Sequence, residues 1–295
     1  MKATRQTTKV VAEFLIEKAV LAAGLLTIFF VVLIFIFLLK EGLSLFKEYS
    51  LWDFLFGGKW YPISSPAKFG IGPLLAGSIA VTLGAIVLAV PIGMASAIYI
   101  AEIAPSWMRE TLKTTVEFLA GIPSIVLGFI GLVTLVPLVK QIFKIPTGLT
   151  ALSGSIMLAF MAMPTIVSMM DDALRAVPKS YREGALALGA TKWQTIYRVL
   201  LPAASSGMLA AVMLGIGRVI GETMAVMMIT GNAAQIPGSL LVPVRTMTAT
   251  IAAEMGEAVQ GSSHYSALFA IGIVLFGITF LINLTADFVL HRKVK

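Results

Sequence analysis

Cysteine is absent from the 295-residue chain, which excludes a disulfide framework, a thiolate nucleophile and thiolate metal ligands. Histidine is scarce: His264 and His291 stand far apart in sequence and near no carboxylate cluster, so both read as interfacial residues and no metal centre is expected. Charge is scarce too. Asp, Glu, Lys and Arg make up 13% of the residues, against about 25% in soluble domains. The nearest approach to a phosphate-binding loop, Gly57-Gly58-Lys59, lacks the earlier glycine of G-x4-G-K. What is abundant is apolar surface, 58% of residues with a mean hydropathy of +0.94. No soluble core hides that much, so the solvent is largely lipid. Soluble enzymes, nucleic-acid binders and secreted disulfide scaffolds are excluded. The formal charge of +7 then reads as basic cytoplasmic loops rather than a nucleic-acid surface.

Crossing a bilayer as a helix takes about 20 mostly apolar residues. Runs of that kind occupy 19–39, 72–101, 114–139, 149–170, 204–230 and 267–290. They predict an all-α polytopic membrane protein of six spans, because lipid offers no partner to free backbone groups. The first run is too long for a signal-peptide core and lacks a small-residue cleavage site, so it reads as a retained anchor. With both termini in the cytoplasm, fourteen Lys and Arg lie inside and seven outside, and Arg218 falls within a span. That bias favours both termini inside. Pro91, Pro123 and Pro164 fall within the predicted spans and are expected to bend them.

The outer segment 41–70 carries Trp52, Phe54, Phe56, Trp60 and Tyr61, a density that suits the headgroup boundary. The outer segment 232–266 is too polar to span and predicts short helices capping a pore mouth. The organisation is therefore an N-tail, first span and outer segment (1–71), a transmembrane core (72–290) and a short tail (291–295).

Between spans four and five lies a basic, cytoplasmic segment, 171–203. Pro178 can open a helix, Gly189 ends it, and Thr191 is placed to cap a second helix through Val199. The result is a helix–turn–helix elbow offering Ala185, Leu186 and Leu188 for docking. In span five, Arg218 and Glu222 are four residues apart, and a continuous helix would set them on one face beside the glycine pair Gly217 and Gly221. Charges inside a membrane either pair to lock packing or line a pathway. A guanidinium fork suits a tetrahedral oxyanion, so phosphate, sulfate and molybdate are all compatible. Lys113 and Glu117 read as an ion pair at the inner end of span three, Asn283 and Asp287 as packing residues, and the methionines at 157–170 and 224–228 as flexible packing.

The elbow resembles the permease subunits of binding-protein-dependent ABC importers. Their signature E-x-A-x3-G-x9-[I/V]-x-L-P appears as Glu183, Ala185, Gly189, Val199, Leu201 and Pro202, with Gly184 where the family often has alanine. The resemblance implies a type I, MetI-like permease whose elbow docks on a separate ATP-hydrolysing subunit. It also implies no nucleotide site and no cofactor in this chain, with ATP-Mg held by the ATPase. The segment G-R-x-x-G-E-T-x-A at Gly217–Ala225 is similar to the phosphate-specific branch, as is AGIPSIVLGF at 120–129. Thr246–Ala258 and the long first outer segment resemble the PstC subunit rather than PstA. Carried over, Arg218 and Glu222 match positions that matter for transport, and Pro123 and Ser124 a pathway-adjacent turn. The implied partners are a PstA-like permease, a PstB-like ATPase dimer and a PstS-like extracytoplasmic phosphate-binding protein, assembled in the inner or plasma membrane. A permease for another oxyanion, sulfate, molybdate or phosphonate, is the nearest alternative. An ion-coupled secondary transporter and a structural scaffold are the others.

Overall fold

The computed structural model describes residues 2–292, with side-chain surroundings for residues 13–285 and Phe288. The side chains of Lys2, Arg5, Lys9, Asp287, His291, Arg292, Lys293 and Lys295 lie outside the described set. Helix α1 (Lys2–Leu43) leads into a 3-10 turn (Ser44–Lys47), the short α2 (Leu51–Phe56) and an antiparallel pair, β1 (Trp60–Tyr61) and β2 (Lys68–Phe69). Trp60 faces Phe69 across that pair and Tyr61 faces Lys68. Next come α3 (Gly72–Ile98) with a π turn at Tyr99–Ile103, α4 (Ser106–Ala120), α5 (Ser124–Val133), α6 (Leu135–Phe143) and α7 (Ala151–Arg175). The second half holds α8 (Lys179–Ala187), α9 (Lys192–Thr195) with a π turn at Ile196–Leu200, α10 (Leu201–Ala203) and α11 (Ser205–Gly221). It ends with α12 (Met224–Ile229), α13 (Met247–Glu254) and α14 (Ser263–Arg292).

Among the described residues, five stretches are long and apolar enough to cross a bilayer: Glu13–Lys47, Gly72–Ile103, Ser124–Phe143, Ala151–Arg175 and Ser263–Thr285. A sixth is a bent pair, Lys192–Ala203 with Ser205–Gly221, folded by 70° at Ala204. The third span is shifted from its predicted position. Gly121-Ile122-Pro123 ends α4 and starts α5, since Pro123 has no N–H and takes an extended conformation (φ −59°, ψ 137°). Residues 106–120 therefore form a separate amphipathic helix, and Pro123 caps a span instead of bending one.

The centre is α3 against α7. Every fourth residue of α3, Val81, Ala85, Ala89, Gly93 and Ala97, is buried, a ridge of mostly small side chains that lets another backbone come close. Into it pack Leu158, Ala162 and Ile166, and Ser155 Oγ donates to Val81 O across the seam at 3.2 Å. Met157, Met161 and Met170 are buried in the same core, as packing methionines. Helix α1 lies outside this core and docks on α14, where Phe35 meets Phe276 (4.7 Å) and Phe37 meets Phe269 (5.5 Å).

The outer segment 41–70 is more than an interfacial anchor. Trp52 and Phe56 are exposed and stacked, as a headgroup contact requires. Phe54 and Trp60, by contrast, are buried with Leu45, Phe69, Ile71 and Leu268 in a second core under the outer face. At the same end of the bundle, the Thr246 hydroxyl accepts from Ala249 N and starts α13, the short helix that 232–266 was expected to supply.

Candidate functional site

The predicted continuous fifth span is broken where its charges lie. Helix α11 ends at Gly221, Glu222 is extended (φ −68°, ψ 131°), and α12 begins at Met224. The break is chemically closed. Glu222 Oε1 accepts from Ala225 N (3.3 Å), capping α12, while the Thr248 hydroxyl donates to Glu222 O (2.8 Å). Met247 N in turn donates to Ser78 Oγ at 3.0 Å, so α13 bridges α3 and the break. Glu222 thus lines a small cavity of about 10 Å³, room for about one water, with Ser78, Thr82, Thr246 and Thr248, a hydroxyl-rich patch inside an apolar bundle.

Arg218 and Glu222 consequently do not share a helix face and form no ion pair. Arg218 sits in the last turn of α11, exposed, with no hydrogen bond or ion pair among the described residues. The glycines flanking it are open: a Cβ at Gly217 or Gly221 would meet nothing within 4 Å. Among the described residues, no helix fills this small-residue notch.

Pro123 and Ser124 stand at the start of α5, which packs on α12. A Cβ at Gly128 would meet Ala225 Cα at 2.9 Å, and one at Gly131 would meet Ile229 Cδ1 at 2.7 Å. The two helices therefore run in the same direction and in register. Ser124, one helical turn before Gly128, lies level with the break. Gly57-Gly58-Lys59 precedes a strand, not a helix, so it has no phosphate-loop geometry.

The elbow forms as its residues dictate. Gly189 is left-handed (φ +83°), and Ala190 N donates to Ala185 O while Gly189 N donates to Leu186 O, a Schellman ending for α8. Thr191 and Gln194 close a capping box on α9. Leu188 is 90% exposed and Leu186, Tyr181 and Trp193 of the same elbow are exposed too, an apolar tip left uncovered by the described residues. Glu183 is exposed, Ala185, Val199 and Leu201 are half-buried, and Pro202 opens α10 at the surface.

Three charged groupings were not predicted. Arg182 forms a two-pronged ion pair with Glu102 at the end of the second span. Lys113 pairs with Asp172 (2.9 Å) and Asp171 (3.5 Å) rather than with Glu117, which is exposed. Asp171 is buried and held by Arg175 Nε at 2.8 Å. Lys113 lies outside the spans; its hydrogen bond to Asp172, with the two aspartate charges, raises its pKa against partial desolvation. A raised lysine pKa stabilises at every pH below the ordinary value and fails only as pH climbs through the raised one, so this tie persists at neutrality. At the end of the bundle that carries β1 and β2, Glu254 accepts from Trp60 Nε1 (3.0 Å), Arg245 Nη1 (2.5 Å) and His264 Nε2 (2.9 Å). His264 is thus carboxylate-bound, contrary to its reading as an isolated interfacial residue.

Residues 89–295 match the family described as the binding-protein-dependent transport system inner membrane component. The chain is 42% identical over 276 residues to the probable ABC transporter permease protein YqgH of Bacillus subtilis, covering 93% of this chain and 89% of that protein. It is 37% identical over 259 residues to the phosphate transport system permease protein PstC of Xylella fastidiosa, covering 81% and 79%. Among solved structures, a bacterial alginate ABC transporter in complex with an alginate-bound periplasmic protein overlays with a TM-score of 0.65, 19% identity and coverage of 94% and 95%. The inward-facing MetNI methionine ABC transporter overlays with 0.57, 22% identity and coverage of 77% and 95%. With a matched stretch of this length and relatives of this similarity, the chain belongs to the inner-membrane permease family of binding-protein-dependent ABC transport systems.

Proposed function

We propose that this chain is the PstC-type half of a membrane pore that imports inorganic phosphate. Arg218 carries the reading: a cation in the membrane-spanning part of α11, exposed and unpaired among the described residues, beside a glycine notch open to a further helix. On translocon scales a charge at mid-membrane costs about 2.5–3.5 kcal/mol, so it persists where a partner subunit or a water-filled path covers it. A second, homologous permease against the notch would enclose Arg218 at the joint pore, with Glu222 and its hydroxyl cavity one residue beyond the helix end. Pro123 and Ser124, level with the break, belong to the same wall. The cargo assignment is supported by the relatives named for phosphate transport.

The exposed tip around Leu188 fits a groove on an ATPase subunit, with Glu183, Ala185, Gly189, Val199, Leu201 and Pro202 shaping the elbow. ATP hydrolysis with its Mg²⁺ belongs to that subunit, and this chain carries no cofactor. Both termini lie in the cytoplasm, the elbow faces the ATPases, and the outer cap of α2, β1, β2 and α13 meets a phosphate-binding protein. The chain's own work is binding the anion differently in outward- and inward-open states, which is all that alternating access demands.

The test is ATP-driven uptake of radiolabelled phosphate into vesicles holding this chain with its partner subunits, challenged with unlabelled phosphate, sulfate and molybdate. Competition by phosphate alone is the expected result. Competition by sulfate or molybdate would keep the importer and change its cargo, and uptake without ATP would overturn the class.

A further inference from the structure

The elbow is fastened to the bundle by an apolar knot and an ion pair. In the knot, Ala101, Leu174, Ile196 and Leu200 are buried together. Two π turns meet there, Tyr99–Ile103 at the end of α3 and Ile196–Leu200 after α9. A π turn carries a residue more than the α-helical ladder accommodates, and such turns concentrate at sites that change shape. Beside the knot, Arg182 of α8 sends Nε to Glu102 Oε2 (3.1 Å) and Nη2 to the other carboxylate oxygen. The Glu102 side chain is 9% exposed and that of Arg182 27%. A planar fork on a mostly buried carboxylate fixes angle as well as distance.

Glu102 lies in the π turn that extends α3 within one span, Gly72–Ile103, with Pro91 inside it, and α3 carries Ser78 and Thr82, which line the Glu222 cavity. From Thr82 to Glu102 the helix covers about 30 Å. The covalent route from elbow to cavity is worse suited to carrying a displacement. Both routes include a π turn, but the covalent one then meets the 70° bend at Ala204 before α11 starts. We infer that Arg182 and Glu102 are a positioning pair that passes elbow movement to α3, and through α3 to the wall opposite Glu222. The inference rests on the elbow being the ATPase contact.

The experiment uses the assembled complex in proteoliposomes with the binding protein and reads ATP hydrolysis and phosphate uptake separately. The unaltered complex must show ATP-driven uptake; if it does not, the functional reading fails before this pair is at issue. Arg182→Ala and Glu102→Ala are each expected to hydrolyse ATP within about twofold of normal while phosphate moved per ATP falls at least about tenfold, a typical coupling magnitude. Arg182→Lys, which keeps charge but loses the fork, should fall between. The exchanged pair Arg182→Glu with Glu102→Arg should recover most of the ratio, and it also decides the matter if a single variant fails to assemble. Single variants with a normal ratio, or an exchanged pair no better than the singles, would overturn the assignment.

Discussion

Glu254 accepts hydrogen bonds from an indole, a guanidinium and an imidazole that come from three separate segments. Removing the carboxylate leaves the buried Trp60 indole N–H without its acceptor and Arg245 with only the Asn232 carbonyl, and hydrogen bonds to a charged group contribute about 1.5–3 kcal/mol each. Glu254→Ala is therefore expected to cost about 2 kcal/mol or more in thermal unfolding, and to speed hydrogen exchange across 57–71. Unchanged exchange there would show the outer hairpin is held by its apolar core alone. The elbow offers a matched pair of glycines. Gly184 lies in helix α8 with open space around a Cβ, so Gly184→Ala should stabilise by up to about 1 kcal/mol. Gly189 has equal space but a left-handed backbone, so Gly189→Ala should destabilise by about 1–2 kcal/mol. Opposite signs at two exposed sites five residues apart would show that conformation, not contact, selects Gly189.

At the scale of elements, α3 and α7 depend on smallness. Ala89 is 1% exposed in the seam, and Ala89→Leu should overpack it at about 1–3 kcal/mol, read as a lower melting temperature of the purified complex. What the sequence made legible tracks the range of the forces involved. The elbow was readable because Pro178, Gly189 and Thr191 act within a few residues of themselves. The break at Glu222 was not, because the apolar run 204–230 is continuous. Its breaking involves distant contacts, the Thr248 hydroxyl on the Glu222 carbonyl and α5 pressed on α12 at Gly128. The same range explains Lys113: Glu117 stands four residues on along the helix, but it is Asp171 and Asp172, far off in sequence, that reach Lys113. Trp60 reaches Glu254 across 194 residues, beyond any local pattern.

For the whole molecule, what stands out is how much is left uncovered: the notch at Gly217 and Gly221, the Leu188 tip and Arg218. If the notch seats the second permease, Gly217→Leu should leave this chain inserted and folded but abolish its co-purification with that partner. Normal co-purification would move the interface elsewhere. The central claim, that Arg218 lies on the anion's path, is tested most directly by Arg218→Gln in the assembled complex, with uptake of radiolabelled phosphate as the readout. Loss of uptake from a complex of unchanged subunit composition is the predicted result. Normal uptake by Arg218→Gln would contradict it.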